Sequence, residues 1–560
     1  MFRPSSTISS PNLFSNINDF LSGSSKKIYL DPNGWHNIFR RQVVARIDES
    51  IFRPLFSAGQ GAPNAPIRIV VGMMILKEAK GLSDAQLFSD CQFDLLTRSA
   101  LGLINIDDTS PVQSTYYLFR KRIVKWEEEH QENLIEKVFS QVTKSQAVDF
   151  HVHGKRIRMD SKLIGSNIAW YSRYELIHET LRKACRSLKG QMEHLSLSEA
   201  DISLLKAIEG ESGDKVSYRS SKAELETSLT ALGVLIYKII KQTGERQIDT
   251  LCTLRRVFHD QYQVESEVVQ PRPKSEISAN SVQSPHDTDC HYRNKDGNEV
   301  KGYSVNITET CDSDNPLNLI TDVCVDVAGA ADNGFLEPAI ESTQAIVPEQ
   351  IEIVNADGAY HSIENQCYCK ENDIDLVLGA IQGKPSRYDL SVGEDGALIV
   401  TDLETGMIVA SRKVEPRKED AEQKWVILND KNKHRYFTQK DVDTCLLRKQ
   451  IAARTQEELN VRNNVEATIF QLGYHYSNDK SRYRGLVKHK IWANIRCLWV
   501  NFVRIAHFVA RIGSNCVQKA RNRWIFPHPY AQIFKIHGII ARFVFLDIEK
   551  HKSYEHSLCR

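Results

Sequence analysis

At Lys155 the hydrophobic pattern of the chain changes period. Before it, apolar residues recur at helical spacing; after it, Ile157, Met159 and Ser161 alternate with Arg156, Arg158, Asp160 and Lys162. A period of two marks a strand with one buried face. Asp160 is therefore expected within a strand, on its polar side. A carboxylate amid Ile157, Met159 and Leu163 loses solvation unless a cation or another partner replaces the water.

Residues 66–145 read as several short helices. Pro66 suits a first helical turn, and the run Ile67, Ile69, Val70, Val71, Met73, Met74, Ile75, Leu76 follows it. Gly81 ends that helix, Ser83 and Asp84 can cap the next, and Ser110-Pro111-x-Gln113 has the form of a capping box. The last helix sets Arg120, Lys121 and Arg122 beside Tyr116, Tyr117 and Phe119, a composition that suits phosphates and equally suits a solvated basic face.

Beyond the strand, 168–262 returns to helical patterning and reads as an insertion, and the polar Pro/Ser-bearing stretch 264–290 reads as a linker or mobile loop. Tyr303, Val305, Ile307 and then Val323, Val325, Val327 alternate about the turn-like Asp312–Pro316, which predicts a hairpin. A helix near 335–345, a strand Ile351–Asn355, Asp357-Gly358, a helix near 361–371 and a strand Ile374–Leu378 come next. Without the helical insertion the order is strand, strand, strand, helix, strand, helix, strand, the order of an RNase H-like mixed sheet. Residues 385–450 read as a β-rich insertion. A helix over 455–472 then carries the stripe Val461, Val465, Ile469, Leu472, with Arg462 and Glu466 four apart near the core edge.

Total charge says little, since 72 Lys and Arg face 71 Asp and Glu. Local charge says more. Between Asp479 and Phe526 eleven basic residues meet one acid, and the stripe Ile491, Ile495, Leu498, Phe502, Ile505, Val509 predicts an amphipathic helix over 486–512. Twelve cysteines without a repeated spacing predict reduced thiols, and Cys367-x-Cys369 lacks a second pair at zinc-finger spacing. The N-terminus MFRPSSTISSPN has no apolar leader core and no apolar run is long enough for a membrane, so a cytoplasmic chain without a membrane partner is expected.

Met159-Asp-Ser-Lys162, Asn355-Ala-Asp-Gly-Ala-Tyr360 and Arg462-x-x-x-Glu466 resemble the three carboxylate motifs of bacterial insertion-sequence DDE transposases. Lys301-Gly-Tyr303 and Arg482-Tyr-Arg-Gly-Leu486 are similar to further landmarks of that family, and Pro66 to about Leu103 resembles the helical DNA-binding domain that precedes the catalytic core in one subgroup. The resemblance covers roughly 60–520. Where many relatives carry Tyr and Lys around the Arg and Glu, this chain has Leu459 and Gly473, so Lys480, Arg482 or Arg484 would supply those contacts.

The resemblance implies an α/β fold: an RNase H-like mixed sheet with helices, carrying a helical and a β-rich insertion, preceded by an all-α domain. Its parts would be a helical DNA-binding domain over 1–145, the first strand over 146–167, the insertion and linker over 168–290 and the rest of the sheet over 291–384. The β-rich insertion (385–450), the catalytic helix with basic helices (451–526) and a tail (527–560) would follow. It implies Asp160, Asp357 and Glu466 as catalytic ligands of two Mg²⁺ or Mn²⁺ ions, hard cations that prefer oxygen donors. Arg462, Lys480, Arg482, Arg484, Lys488, Lys490, Arg120, Lys121 and Arg122 would face DNA. The partners implied are transposon ends and target DNA, with a homodimer in the assembled complex and a nucleoid-associated location.

Two alternatives stand beside it. A domesticated DNA-binding protein would keep the fold without catalysis. Asp149-Phe-His-Val-His153 also resembles the Asp-x-His-x-His entry motif of metal-dependent amidohydrolases, but no repeated strand–helix alternation of barrel type comes after it.

Overall fold

The computed structural model describes residues 1–523 except 6–10, 13, 60, 189–194, 296, 382, 394–396, 415–423, 429–433 and 474–478, so the expected tail at 527–560 lies outside the described residues. Met1–Ala506 form one compact unit, from which the described residues 507–523 are divided. The architecture is mixed α/β.

Before the first strand the regular elements described are helical: α1 (Ile17–Phe20), α2 (Gly23–Leu30), α3 (Trp35–Gln42), α4 (Ile67–Ala79), α5 (Asp84–Phe93), α6 (Leu95–Leu101), α7 (Gln113–His130) and α8 (Leu134–Asp149), with short 3₁₀ turns. Apolar residues surround α4, and Val70, Val71, Met73, Met74, Ile75 and Leu76 are all buried, as a helix without a polar face must be. Ser83 caps α5 as expected, in a capping box with Gln86, and Asp84 stands in the first turn. Ser110 does not cap α7, because the helix begins at Gln113 with Val112 as N-cap and no side-chain cap bond.

The central strand β1 (Arg156–Gly165) carries Asp160 as expected. Helices α9 (Arg173–Ser187), α10 (Glu199–Gly210), α11 (Gly213–Arg219), α12 (Lys222–Thr243) and α13 (Asp249–Gln261) follow it and enclose their own core, including Ile177, Leu181, Leu235, Ile236, Leu254 and Phe258. The stretch expected to be a linker is instead packed. Strands β2 (Tyr262–Glu265) and β3 (Val268–Pro271) pair as a hairpin, and Val269, Val282 and Cys290 are buried. Residues 264–268 and 273–276 are exposed, while Asp260 accepts the Val282 amide at 2.9 Å and ties the later part of the stretch to α13.

The sheet is completed by β4 (His291–Lys295), β5 (Asn298–Thr310) and β6 (Ile320–Val327), then, after α14 (Leu336–Ile346), β7 (Ile353–Ala356) and, after α15 (Ile363–Glu371), β8 (Asp375–Leu378). Long β5 pairs antiparallel with β1 on one edge and with β4 and β6 on the other. Beyond β1, β7 and β8 run parallel to it. The order β6–β5–β1–β7–β8 places β1 at the centre. Ile157, Met159, Val354 and Ala356 bury one face against Phe335, Leu336, Ile340 and Tyr360.

Two small antiparallel sheets come next, β9 (Tyr388–Val392), β10 (Leu398–Asp402) and β11 (Ile408–Ala410), then β12 (Arg412–Val414), β13 (Lys424–Leu428) and β14 (His434–Thr438). They share the core Tyr388, Leu390, Val400, Trp425, Ile427 and Phe437. Helix α16 (Gln439–Ala453) returns the chain to the central sheet, since its Leu447 joins the core under β1. The single helix expected over 455–472 is broken into α17 (Gln456–Asn460), a 3₁₀ turn Arg462–Asn464 and α18 (Val465–Leu472). Arg158 draws the Val461 carbonyl into a 3.0 Å bond, and two asparagines with poor helix propensity follow. Helix α19 (Leu486–Arg523) buries Ile491, Ile495, Leu498, Phe502 and Ile505 as its stripe predicts. No described helix is long and apolar enough to cross a membrane.

One buried acid gives this core a pH signature. Asp322 on β6 is 8% exposed and its Oδ2 has no hydrogen-bond partner. Burial pushes its carboxyl up to about 7, with the Glu136 charge adding to the shift. A folded-state pKa above the unfolded one makes this group's contribution to stability greatest below about pH 4 and lower as pH rises toward 7. Asp322→Asn is expected to flatten that decline and add on the order of 1–3 kcal/mol above neutrality. Urea unfolding across the range checks this; parallel curves for the two proteins would refute it.

Candidate functional site

Register brings two distant carboxylates together. In the parallel pair β1–β7, Arg156 stands opposite Ile353 and Arg158 opposite Asn355. Two residues further along that register, Asp160 lies beside Asp357, the first residue past β7. The turn there is tightly specified: the Asp357 carboxylate accepts the Gly358 amide at 2.6 Å, and a Cβ on Gly358 would lie 1.8 Å from the Ala380 carbonyl oxygen. The Asp-Gly pair is thus held by packing as well as by turn preference.

A single guanidinium serves both acids. Arg462 Nη2 lies 3.2 Å from Asp160 Oδ2 and 3.8 Å from Asp357 Oδ2, with the Asp160 and Asp357 side chains 15% and 40% exposed. Burial pushes the Asp160 carboxyl above the usual carboxylate range; Arg462 pulls it down and the Asp357 charge pushes it further up. This is a pair of like charges on adjacent strands that needs a cation.

Glu466 does not join them. It occupies the first turn of α18 and is exposed, whereas the sequence pattern predicts the core edge. The break at Arg462–Asn464 turns Val465, Thr468 and Leu472 inward and leaves Glu466 outside. Among the described residues no group of three or more His, Cys, Asp and Glu is placed to hold a metal ion. His153 of the amidohydrolase-like motif contacts Glu349 at 2.8 Å.

A different acid organises the site. Glu309 on β5 is 0% exposed, takes Arg158 Nε on Oε1, and on Oε2 accepts both Arg504 Nη2 and the Thr468 hydroxyl at 2.6 and 2.8 Å. It therefore joins β1, α18 and α19, and through the Arg158–Val461 bond it fixes the turn that carries Arg462. Burial opposes its ionisation, yet Arg504 and Arg158 outweigh burial and hold the carboxyl below its ordinary range. The signal was present in sequence: continuing the alternation of Tyr303, Val305 and Ile307 puts position 309 on a buried face, where an acid needs a partner.

Several basic residues expected at DNA hold the chain itself together. Lys480 bonds the Ile168 carbonyl, Arg482 the Gly81 and Leu82 carbonyls, and Arg484 the Asn167 carbonyl. Tyr483 bonds Glu78, Gly485 N donates to Asp287, and Tyr303 of the Lys-Gly-Tyr landmark donates to the same Asp287. Lys490 pairs with buried Glu127 at 3.6 Å. Arg120 lies over the rings of Tyr116 and Tyr483, and Arg122 over Phe56. Lys121 and Lys488 are exposed at a cavity of about 620 Å³ between α4, α7 and α19, with Tyr116 and Trp492 in its wall. The space a side chain at Gly473 would enter holds Lys162 Nζ, itself paired with Asp479 at 2.6 Å.

Residues 30–122 match a family model described as a transposase domain (DUF772). That segment runs from the end of α2 into α7 and includes Arg120, Lys121 and Arg122. The match supports a transposase. The chain is also similar, at 10% identity, to a solved piggyBac transposase synaptic complex with hairpin DNA, covering 88% of this chain and 78% of that one. The TM-score of 0.25 is too low for that likeness to bear on the fold. No curated protein matches the chain.

Removing one partner from a buried ion cluster leaves uncompensated charge, which costs about 3–5 kcal/mol. Glu309→Gln is therefore expected to destabilise the protein by that order near neutral pH, read by urea unfolding. Because the depressed pKa stabilises only above the unfolded carboxyl value, the two proteins should converge as pH falls through the folded one. A constant difference at every pH would contradict the ion-pair account.

Proposed function

We propose that this chain is a DDE-type DNA transposase that cuts and joins DNA at the ends of a bacterial insertion sequence. The observation that carries the reading is the meeting of Asp160 and Asp357 on one cation at the centre of the sheet. The transposase-domain match at 30–122 supports it independently. The order β6–β5–β1–β7–β8, antiparallel on one side of β1 and parallel on the other, supports an RNase H-like core.

The donors suit a hard divalent cation: two carboxylates that already share one positive group. Bound there, Mg²⁺ or Mn²⁺ ions supply activation of an attacking oxygen and charge stabilisation of the leaving one. Asp160 and Asp357 would hold them, with Glu466, four residues past Arg462 on the helix that packs over β1, as the third ligand. Arg462 would turn to the phosphate backbone, and Lys121 and Lys488 at the cavity mouth would add sequence-independent affinity. Lys480, Arg482, Arg484, Lys490, Arg120 and Arg122 would then act on DNA by placing the segments that carry them. Two transposon ends cut and joined together imply a homodimer around DNA.

The exposure of Glu466 favours one second reading, a DNA-binding protein that has lost catalysis. Incubating the protein with its element's end DNA and Mg²⁺ separates the two. The transposase reading expects strand cleavage that Asp160→Ala and Asp357→Ala reduce to background while gel-shift binding persists. Cleavage surviving both substitutions would sink the carboxylate assignment; binding without cleavage by the unaltered chain would favour the second reading.

A further inference from the structure

Three arginines face carboxylates on this side of the sheet, and they are not alike. Arg158 uses Nε, Nη1 and Nη2 on Glu309 and the Val461 carbonyl. Arg504 gives Nη1 to the Asn318 carbonyl and Nη2 to Glu309 and Thr468. Arg462 gives Nη2 to Asp160, while its Nε is buried without a hydrogen-bond partner. A guanidinium used on one edge is held less firmly than one used on both. The Arg462 side chain is about as exposed as that of Arg504, but its neighbour Asp357 is 40% exposed whereas Glu309 is buried.

Resting on the transposase reading, we propose that Arg462 and a divalent cation compete for the Asp160–Asp357 pair, so that the DNA-free chain excludes metal until a phosphate draws the arginine away. A guanidinium cannot be deprotonated in a protein, so it yields a carboxylate only by moving. A metal ion and a guanidinium cannot share these oxygens without like-charge repulsion at contact distance. A phosphate backbone offers the guanidinium an equivalent bidentate partner, so leaving the acids costs little once DNA is present.

The test is Mn²⁺ binding by the full chain, read from the free-ion electron paramagnetic resonance signal, without DNA and with a non-specific duplex. Arg462→Gln, or Arg462→Met as a second variant, is expected to bind Mn²⁺ at least about tenfold more tightly than the unaltered chain in the absence of DNA. Duplex should tighten Mn²⁺ binding by the unaltered chain and leave both variants unchanged. If neither variant binds more tightly while Asp160→Asn binds more weakly, the acids hold metal but Arg462 does not compete, and this inference alone fails. If Asp160→Asn leaves Mn²⁺ binding unchanged, the carboxylate site fails and takes the inference with it.

Discussion

The buried carboxylate of Glu309 fixes the geometry on which the site depends. With both oxygens engaged and no exposure, it cannot relax toward water, so the groups that satisfy it are held where they are. Those groups come from β1, α18 and α19, and one of them, Arg158, stands two residues before Asp160 on the same face of the same strand. A buried ion cluster contributes little net stability compared with apolar packing, but it resists any arrangement that leaves a charge alone. Here the arrangement that satisfies all its members sets the turn bearing Arg462 against Asp160 in the middle of β1.

That placement explains why two acids can stand side by side. Parallel pairing puts Asp160 and Asp357 in register, and the sheet cannot separate them without breaking the β1–β7 ladder. Their repulsion has to be met by a cation, and Arg462 meets it. The difference between this arginine and the two around Glu309 is that one of its partners, Asp357, lies just past a strand end and is 40% exposed, whereas Glu309 is buried. A group in that position is exchangeable in a way that Arg158 and Arg504 are not.

The sheet was largely legible from sequence because period-two alternation reports a buried face directly. The strands through Asp160, Tyr303–Ile307 and Val323–Val327 were readable on that basis, as were the helices that alternate with β7 and β8. What periodicity could not report was long-range capture of a backbone group. The 455–472 segment carries a continuous helical stripe, yet Arg158, some three hundred positions away, takes the Val461 carbonyl and breaks it. Composition likewise did not report that the polar stretch 264–290 contains a paired strand and buries Val269, Val282 and Cys290. For the site, Asp160 and Asp357 were singled out by sequence and stand side by side, while Arg462, expected to face DNA, lies against both of them. Glu309 was passed over because its neighbours Thr308 and Thr310 make the position look like an ordinary polar strand end.

The basic segment after Asp479 carries the same lesson to function. Counting charge suggests a phosphate-binding strip, but Lys480, Arg482 and Arg484 spend their donors on carbonyls at helix and strand ends, and Arg496 is buried against Glu78 and Gln471. Donors satisfied by the chain's own carbonyls are poor phosphate ligands unless the segment first comes away. They do, however, tie the transposase-domain helices to the end of β1: Arg482 reaches the loop after α4, Arg484 reaches residue 167 just past β1, and Tyr483 reaches Glu78 on α4. A movement of those helices would therefore reach the strand that carries Asp160 through a few short, directional bonds. On the proposed function, affinity for DNA on the helical side and chemistry at the sheet are linked by the residues between them.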